Sequence, residues 1–513
     1  SVRFNDGDSP YLNRSFVTPT SAATFGYSFW VKLGAGYNGS YIISADGSGN
    51  NDNFYFNSNK INIQEGGTPR LVSDQVFRDH AAWYHFVVAY ELGNSTNAHK
   101  LRVYLNGSEI TSWSTDARSG FASTSSRLNA NGVSHDIGAN ANNGVSTHLN
   151  NFDGYLSEFH FVDGTVITPG MFGETNSNGV WVPIEASPTY GNNGFYLAFQ
   201  DSSALGDDTS GEGHDWSSSG LAAADSVSDS PSSNHCVMNV LDNGRPSNVT
   251  LSDGNLTCAF TGAGYQGGIR SSFFFDSEDS EGWYAECTLD SLAFASIFRA
   301  GVANAAINLA STDAQSNANA WAYSDQGAKL NNSYSTGYGS AVTATDVVGI
   351  AVRNGKIYFA INNTWQGSAN PVTEANAAFT NLTGDVAFCQ STNTGGSYAH
   401  TATWNFGQSG FAYTPPTGYK ALNTSSLTTP SITDGSAQFQ PTLYTGTGSS
   451  QAVSQSGNST FQPDFAWIKG RSGATEHVLT DAVRGVTKEL SSNDTGAEET
   501  VAQGLTTFGS AGF

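Results

Sequence analysis

The stretch WYHFVVAYELGNSTNAHKLRVYLNGSEI (83–110) decides the fold. Its runs WYHFVVAYE and LRVYL are dense in aromatic and β-branched side chains, and Asn106-Gly107 lies between two strand-like runs. That pair is the commonest signal for a tight primed hairpin turn. Similar short runs recur on both sides between Gly, Asn and Ser turns: YSFWVKL (27–33), YIISA (41–45), NFYFN (53–57), YLSEFHFV (155–162) and GFYLAFQ (194–200). Helical periodicity is almost absent. Many short strands at this spacing predict an all-β chain built from antiparallel sandwiches or jelly rolls.

Composition supports the same class and removes others. The 513 residues include 57 Gly and only 2 Met, and 21 basic against 44 acidic side chains give a net charge of −23. An acidic surface with scattered Lys and Arg repels phosphate backbones, so nucleic acid is not an expected partner. With 38% hydrophobic and 12% aromatic residues the chain can build real cores, so disorder is disfavoured. No apolar run approaches the ~20 residues of a membrane helix, so no membrane insertion is expected. The opening SVRFNDGDSPYL lacks the basic and apolar regions of a signal peptide, and no export tag is expected. Cys236, Cys258, Cys287 and Cys389 show no CxxC spacing, and three sit in apolar strand-like runs. They read as buried free thiols.

Two composition shifts divide the chain. Residues 201–235 collapse into acidic and Ser/Gly-rich sequence before strands resume at LTCAFTG. A second boundary, ALNTSSLTTPSITDGSAQ (421–438), reads as a linker. The expected domains are therefore 1–235, 236–425 and 426–513. The last is short for an independent sandwich of about 100 residues, so it is expected to be cut short or completed by another chain.

The first region's residues carry a resemblance. Trp30 in an early strand, Trp83 with His85, Tyr104 with the Asn106-Gly107 hairpin, and Gly154 with Glu158 in a closing strand are similar to the laminin-G-like, concanavalin-A-like lectin fold, and DDTSGEGHDW (207–216) is similar to a turn such domains carry. Trp30, Trp83 and Tyr104 are expected in the sandwich core, with positive φ at Asn106 and Gly107. The second region resembles a SPRY domain through Asp346 to Ile350, the NGKIYF hairpin from Asn354 to Phe359, and WNFGQSGFAYTPPTGYKAL (404–422), although Arg353 and Asn354 depart from the family's usual acidic residue. This resemblance implies a bent sandwich presenting loops to protein partners.

The order of these modules, followed by Gln462, Pro463, Asp464, Phe465, Trp467, Ile468, Lys469, Arg471, Asp481, Arg484 and Gly485, resembles modular fibre and adhesin proteins of marine bacteriophages. It implies a non-enzymatic virion-surface protein contacting other virion proteins and a host glycan or protein, as a homo-oligomer with a trimer favoured. A decoration or connector protein is the alternative, and a glycan depolymerase a lesser one.

Candidate chemistry is sparse. Glycosidases need two carboxylates about 5 to 9.5 Å apart. The nearest stretch, FDSEDSEGW (275–283), puts Glu278 and Glu281 on opposite faces if extended and reads as a solvated loop. TGAGYQGG (261–268) lacks the Lys and following helix that phosphate binding requires and also reads as a loop. The candidate cofactor is calcium, held by Asp201, Asp207, Asp208, Glu212 and Asp215 together with DGSGNNDN (46–53), although such residues are also ordinary turn formers. Ligand contact through aromatic stacking is expected at Tyr37, Trp113, Tyr334, Tyr338 and Trp365, each in a loop-like context.

Overall fold

A computed structural model describes residues 1–46, 51–122, 124–141, 148–242, 249–261, 267–294, 297–309, 316–392, 399–457 and 459–513. Two called stretches fall partly outside them: 47–50 of DGSGNNDN and 262–266 of TGAGYQGG. Among the described residues, strands alternate with turns and short 3-10 segments, and no α-helix occurs. None of these elements is a helix long and apolar enough to cross a membrane. The chain divides into two compact units, Ser1–Gly173 with Pro183–Leu427, and Glu174–Val182 with Thr428–Phe513.

The first unit contains two sandwiches in tandem. In the first, one sheet joins Val2–Phe4, Gly154–Asp163, Thr24–Leu33, Trp83–Glu91, Leu101–Leu105 and Ser108–Glu109, with Phe195–Leu197 on the far side of Gly154–Asp163. The opposing sheet runs Trp113–Asp116, Thr68–Ser73, Lys60–Glu65, Asp52–Asn57, Tyr41–Ala45, Ser134–Ile137, Tyr11–Ser15 and Ser217–Ser219. The Asn106-Gly107 turn has φ of 47° and 84°, which matches the right-handed twist of its flanking strands.

Strand alternation explains how this second sheet closes the core. Leu12, Ile137, Ile43, Phe54, Ile63 and Leu71 are paired neighbours in successive strands. All six are fully buried against Phe29, Phe86 and Phe159 of the facing sheet. Burying each such side chain contributes about 1.5–3 kcal/mol.

Trp30 and Trp83 are buried as expected, but not in this core. Phe29 and Val31 point inward, so their neighbour Trp30 faces out and stacks on His85 at 4.6 Å. Trp83 donates from Nε1 to Asp229 at 3.0 Å, against the segment that leads into the second sandwich. Tyr104 is likewise outward and partly buried, beside Val87 and Ala89.

The second sandwich packs the sheet built on Gly282–Leu292, Val347–Arg353, Lys356–Ile361 and His400–Asn405 against one built on Phe298–Asn304, Ala320–Ser324 and Asp385–Thr392. Its core includes Trp283, Trp321, Phe359, Phe388 and Trp404. All strand pairs here are antiparallel except Gly282–Leu292 with Tyr419–Ala421. The four cysteines are buried and none is in a disulfide. The two sandwiches meet at Tyr155, whose hydroxyl donates to Gly254 O at 2.8 Å, and at Asn255, whose Nδ2 donates to Leu33 O at 3.1 Å.

The second unit is a four-stranded antiparallel meander, Phe465–Lys469, His477–Asp481, Lys488–Ser491 and Glu499–Thr500.

Candidate ligand-binding face of the first sandwich

One residue beyond the apolar row of the first sandwich, the same pairing lines up a polar row. Ser217, Asn13, Asp136, Ser44, Asn53 and Gln64 are register partners across six strands. Because successive side chains alternate, a sheet whose inner row is wholly apolar turns this row away from the core, where Asp136, Ser44 and Asn53 are nonetheless buried and Asn13 and Gln64 half-buried. Every member can donate or accept hydrogen bonds, and Asp136 is its only charged residue.

Asp136 anchors the row. Its Oδ1 accepts from Asn13 Nδ2 at 2.7 Å and its Oδ2 from His148 Nδ1 at 2.5 Å. Burial raises the Asp136 pKa above the ordinary carboxylate range, an effect partly offset by these two donors and reinforced by nearby Asp46. The His148 ring lies flat on Tyr11, centroids 3.7 Å apart. Ser44 Oγ donates to Ala139 O at 2.8 Å and accepts from Ala141 N at 2.7 Å. Asn53 is 2% exposed, yet its Oδ1 has no hydrogen-bond partner. A buried acceptor left open costs about 1–3 kcal/mol unless a ligand or water satisfies it.

Aromatic rings flank the row. Tyr41 and Tyr55 are paired across adjacent strands, stack at 4.8 Å with planes 10° apart, and are half-buried. Burial raises both phenol pKa values, so the hydroxyls remain protonated donors near neutral pH. Tyr55 in turn pairs with Asn62. Flat apolar rings beside amide and carboxylate groups can hold a hydroxyl-rich ligand by stacking and hydrogen bonding.

The aromatic residues singled out from sequence lie elsewhere. Tyr37 is a correction: it is 2% exposed in the first core, because its loop folds back and the hydroxyl donates to Asn59 Oδ1 at 2.7 Å and to Phe77 O. Trp113 sits on a strand rather than a loop and packs against the first core. Tyr334 and Trp365 also lie on short strands, and with Tyr338 they pack against clusters of the second sandwich. Tyr338 and the Trp365 segment do come together, the Tyr338 hydroxyl donating to Gln366 O at 3.2 Å. The five rings form no common site.

Three of the five candidate calcium ligands, Asp201, Asp208 and Asp215, are spent on turn geometry, while Asp207 and Glu212 are placed in the same segment. Asp208 accepts from Tyr196 N, Ser210 N, Ser210 Oγ and His214 N, between 2.8 and 2.9 Å. Asp215 caps Asp208 N at 3.0 Å, and Asp201 caps Ser203 N at 2.8 Å. Asp52, from the companion stretch, accepts from Gly66 N, Ser126 Oγ and Arg127 N. Among the described residues no three His, Cys, Asp or Glu side chains are placed to hold a metal ion. The described residues of this set do not by themselves gather the six to eight oxygens calcium takes.

Glu278 and Glu281 lie in a turn after the two-residue strand Phe275–Asp276. Asp276 and Asp279 cap the amides of Glu278 and Glu281, and Glu281 pairs with Lys420.

No curated protein sequence matches the chain. Residues 434–513 match a domain family of unknown function, DUF7483. Among solved structures, the chain is similar to the SPRY domain of human HERC1, at 14% identity and a TM-score of 0.26 over 32% of this chain and 95% of that one. It is similar to a heptameric SAP-like pentraxin from Limulus polyphemus, at 18% identity and 0.24 over 31% and 71%. The TRIM65 PSpry domain gives 11% identity and 0.25 over 33% and 92%. The region that supplies the polar row from Asn13 to Asp136 lies within residues 6–169, which match the concanavalin A-like lectin/glucanases superfamily.

Proposed function

We propose that the chain is a non-enzymatic recognition protein of the virion fibre or adhesin type, which contacts a host-surface glycan or protein. The observation that carries this reading is the stacked, half-buried pair Tyr41 and Tyr55 with the half-buried Tyr11 and the amides of Asn13 and Gln64 on the same outward face, on a domain similar to the lectin/glucanase superfamily. A hydroxyl-rich ligand would stack on the tyrosines and hydrogen-bond to Asn13 and Gln64, the half-buried amides of the row. Individually weak sites would gain strength through several copies on one particle.

The test is a glycan array probed with the full chain coupled to beads at high valency, together with binding of the same beads to host cells. Binding weakened about tenfold by Tyr55→Ala supports the reading. Blank results on both formats would sink it.

A decoration or connector role without ligand is favoured by the fully satisfied ionic joint between the sandwiches, described below, which suits a rigid spacer. Labelling the protein on intact particles separates the two readings, since an adhesin occupies distal tips and a spacer is enclosed by neighbours.

A further inference from the structure

A tight turn at the entry to the second sandwich is closed by backbone bonds between Ser230 and Ser233 at 3.0 and 3.2 Å, and Asp229 and Asn234 flank it. Both side chains reach Lys32 on strand Thr24–Leu33 of the first sandwich. Lys32 Nζ donates to Asp229 Oδ2 at 2.8 Å, to Asn234 Oδ1 at 2.8 Å and to His235 O at 2.7 Å. Asn234 Nδ2 donates to Ala81 O at 2.7 Å, so both ends of the carboxamide are fixed and its carbonyl faces the amine.

The surroundings are dry. Neither the Lys32 nor the Asp229 side chain has exposed surface. Trp83 donates from Nε1 to Asp229 Oδ1 at 3.0 Å, and the Tyr155 ring centroid lies 5.6 Å from Nζ. Among the described residues, the lysines of the other lysine–carboxylate pairs, Lys356, Lys420 and Lys488, are 30%, 45% and 37% exposed. An amine, a carboxamide and a carboxylate held at hydrogen-bond distance are the reactants of a transamidation. Holding them together removes the entropic barrier to their meeting, and the carboxylate is within reach to act as general base.

We propose that the chain joins Lys32 to Asn234 through a side-chain amide bond that it forms itself, with Asp229 carrying the proton. Nζ passes one proton to Asp229 Oδ2 and, as a neutral amine, attacks Asn234 Cγ. The Nζ–Cγ bond forms, the Cγ–Nδ2 bond breaks, and the amide nitrogen leaves as ammonia. Of the two protons that Nζ sheds, Asp229 delivers one to the leaving nitrogen and keeps the other. The contacts given above are those before reaction. Afterwards a neutral amide and a neutral acid replace two buried charges, which a water-free site favours. Asn234 is half-buried, which gives ammonia a way out. The bond ties residues 202 positions apart across the joint between the sandwiches. It is independent of the glycan-binding reading.

The test is the intact mass of the purified full chain under denaturing conditions. It is expected to fall one ammonia, about 17 Da, below the sum of its 513 residues. Tandem mass spectrometry of a digest should show a branched peptide linking Lys32 to Asn234. Asn234→Ala and Asp229→Asn should each have the full mass of their own sequences. A succinimide at an Asn-Gly pair sheds the same ammonia, but it would persist in Asn234→Ala. A wild-type mass equal to that of its sequence, a deficit retained by Asn234→Ala, or a digest without the branched peptide would overturn the proposal. A deficit retained by Asp229→Asn would overturn the role given to Asp229.

Discussion

Lys32 and Asp229 form an ion pair of 2.8 Å in which neither side chain is exposed, binding the outer face of the first sandwich to the segment that enters the second. The ammonium also donates to Asn234 Oδ1 at 2.8 Å and His235 O at 2.7 Å. The carboxylate accepts from Trp83 Nε1 and His235 N as well. Both charges are thus fully satisfied, and the penalty for breaking the pair falls on whichever partner remains. Lys32→Met is expected to destabilise the first unit by about 3–5 kcal/mol by stranding Asp229, and the Lys32→Met, Asp229→Leu double variant to recover much of that loss. Urea unfolding followed by tryptophan emission checks both, and a double variant no better than the single would refute the argument.

Acid should unfold the protein through its buried histidines. Burial pushes His85, His160 and His400 down to about 3 and His135 to about 4. A folded pKa below the unfolded value of 6.5 stabilises the native state above that pH, and the contribution is lost as pH falls toward 4, by up to about 1.4 kcal/mol per pH unit for each group. Asp153, which burial raises to about 6, acts in the opposite direction and only partly offsets the loss. The melting temperature is therefore expected to fall steadily below about pH 6. His400 lies between Phe260 and Phe298, and neither ring nitrogen has a hydrogen-bond partner. His400→Leu should flatten the acid limb without lowering stability at pH 7, as calorimetry at several pH values would show.

Binding and stability should separate by position. Tyr55→Ala is expected to weaken a bound glycan about tenfold while leaving the melting temperature within a few degrees, because the ring is an open stacking platform. Trp113→Ala, Tyr334→Ala, Tyr338→Ala and Trp365→Ala remove rings that pack against core clusters, and are expected to lower the melting temperature without changing affinity. Titration calorimetry with a glycan identified on the array, paired with thermal melts of each variant, reads both effects.

Chelation should leave the protein unaffected. Asp208 already receives four hydrogen bonds within its own turn, so removing calcium withdraws nothing from it. Melting temperatures with excess EDTA and with millimolar calcium are expected to coincide. A rise of several degrees on adding calcium would show that the turn opens to bind it.

The strands were readable because their signal is local. YIISA and WYHFVVAYE match the strands Tyr41–Ala45 and Trp83–Glu91 residue for residue, since β-branched and aromatic runs between turn formers need no distant information. The polar face was not readable, because Asn13, Asp136, Ser44 and Asn53 become neighbours only through pairing between strands far apart in sequence. One local clue existed: Asn53 alternates with Phe54 in NFYFN, and Asp136 with Ile137 in HDI. Each places a polar group opposite a core position, but nothing local aligns them into a row. Tyr37 failed for a related reason. Its loop-like context suggested exposure, while the contacts that bury it come from Asn59 and Phe77, two and four strands further along the chain.

The four buried cysteines, none of them in a disulfide, have a practical consequence. A fold that uses no disulfide cross-link does not depend on oxidising or reducing conditions to keep its shape. With every native thiol shielded inside the second sandwich, one cysteine introduced on the surface would be the only readily labelled thiol, and a dye or gold particle attached there would report a single position.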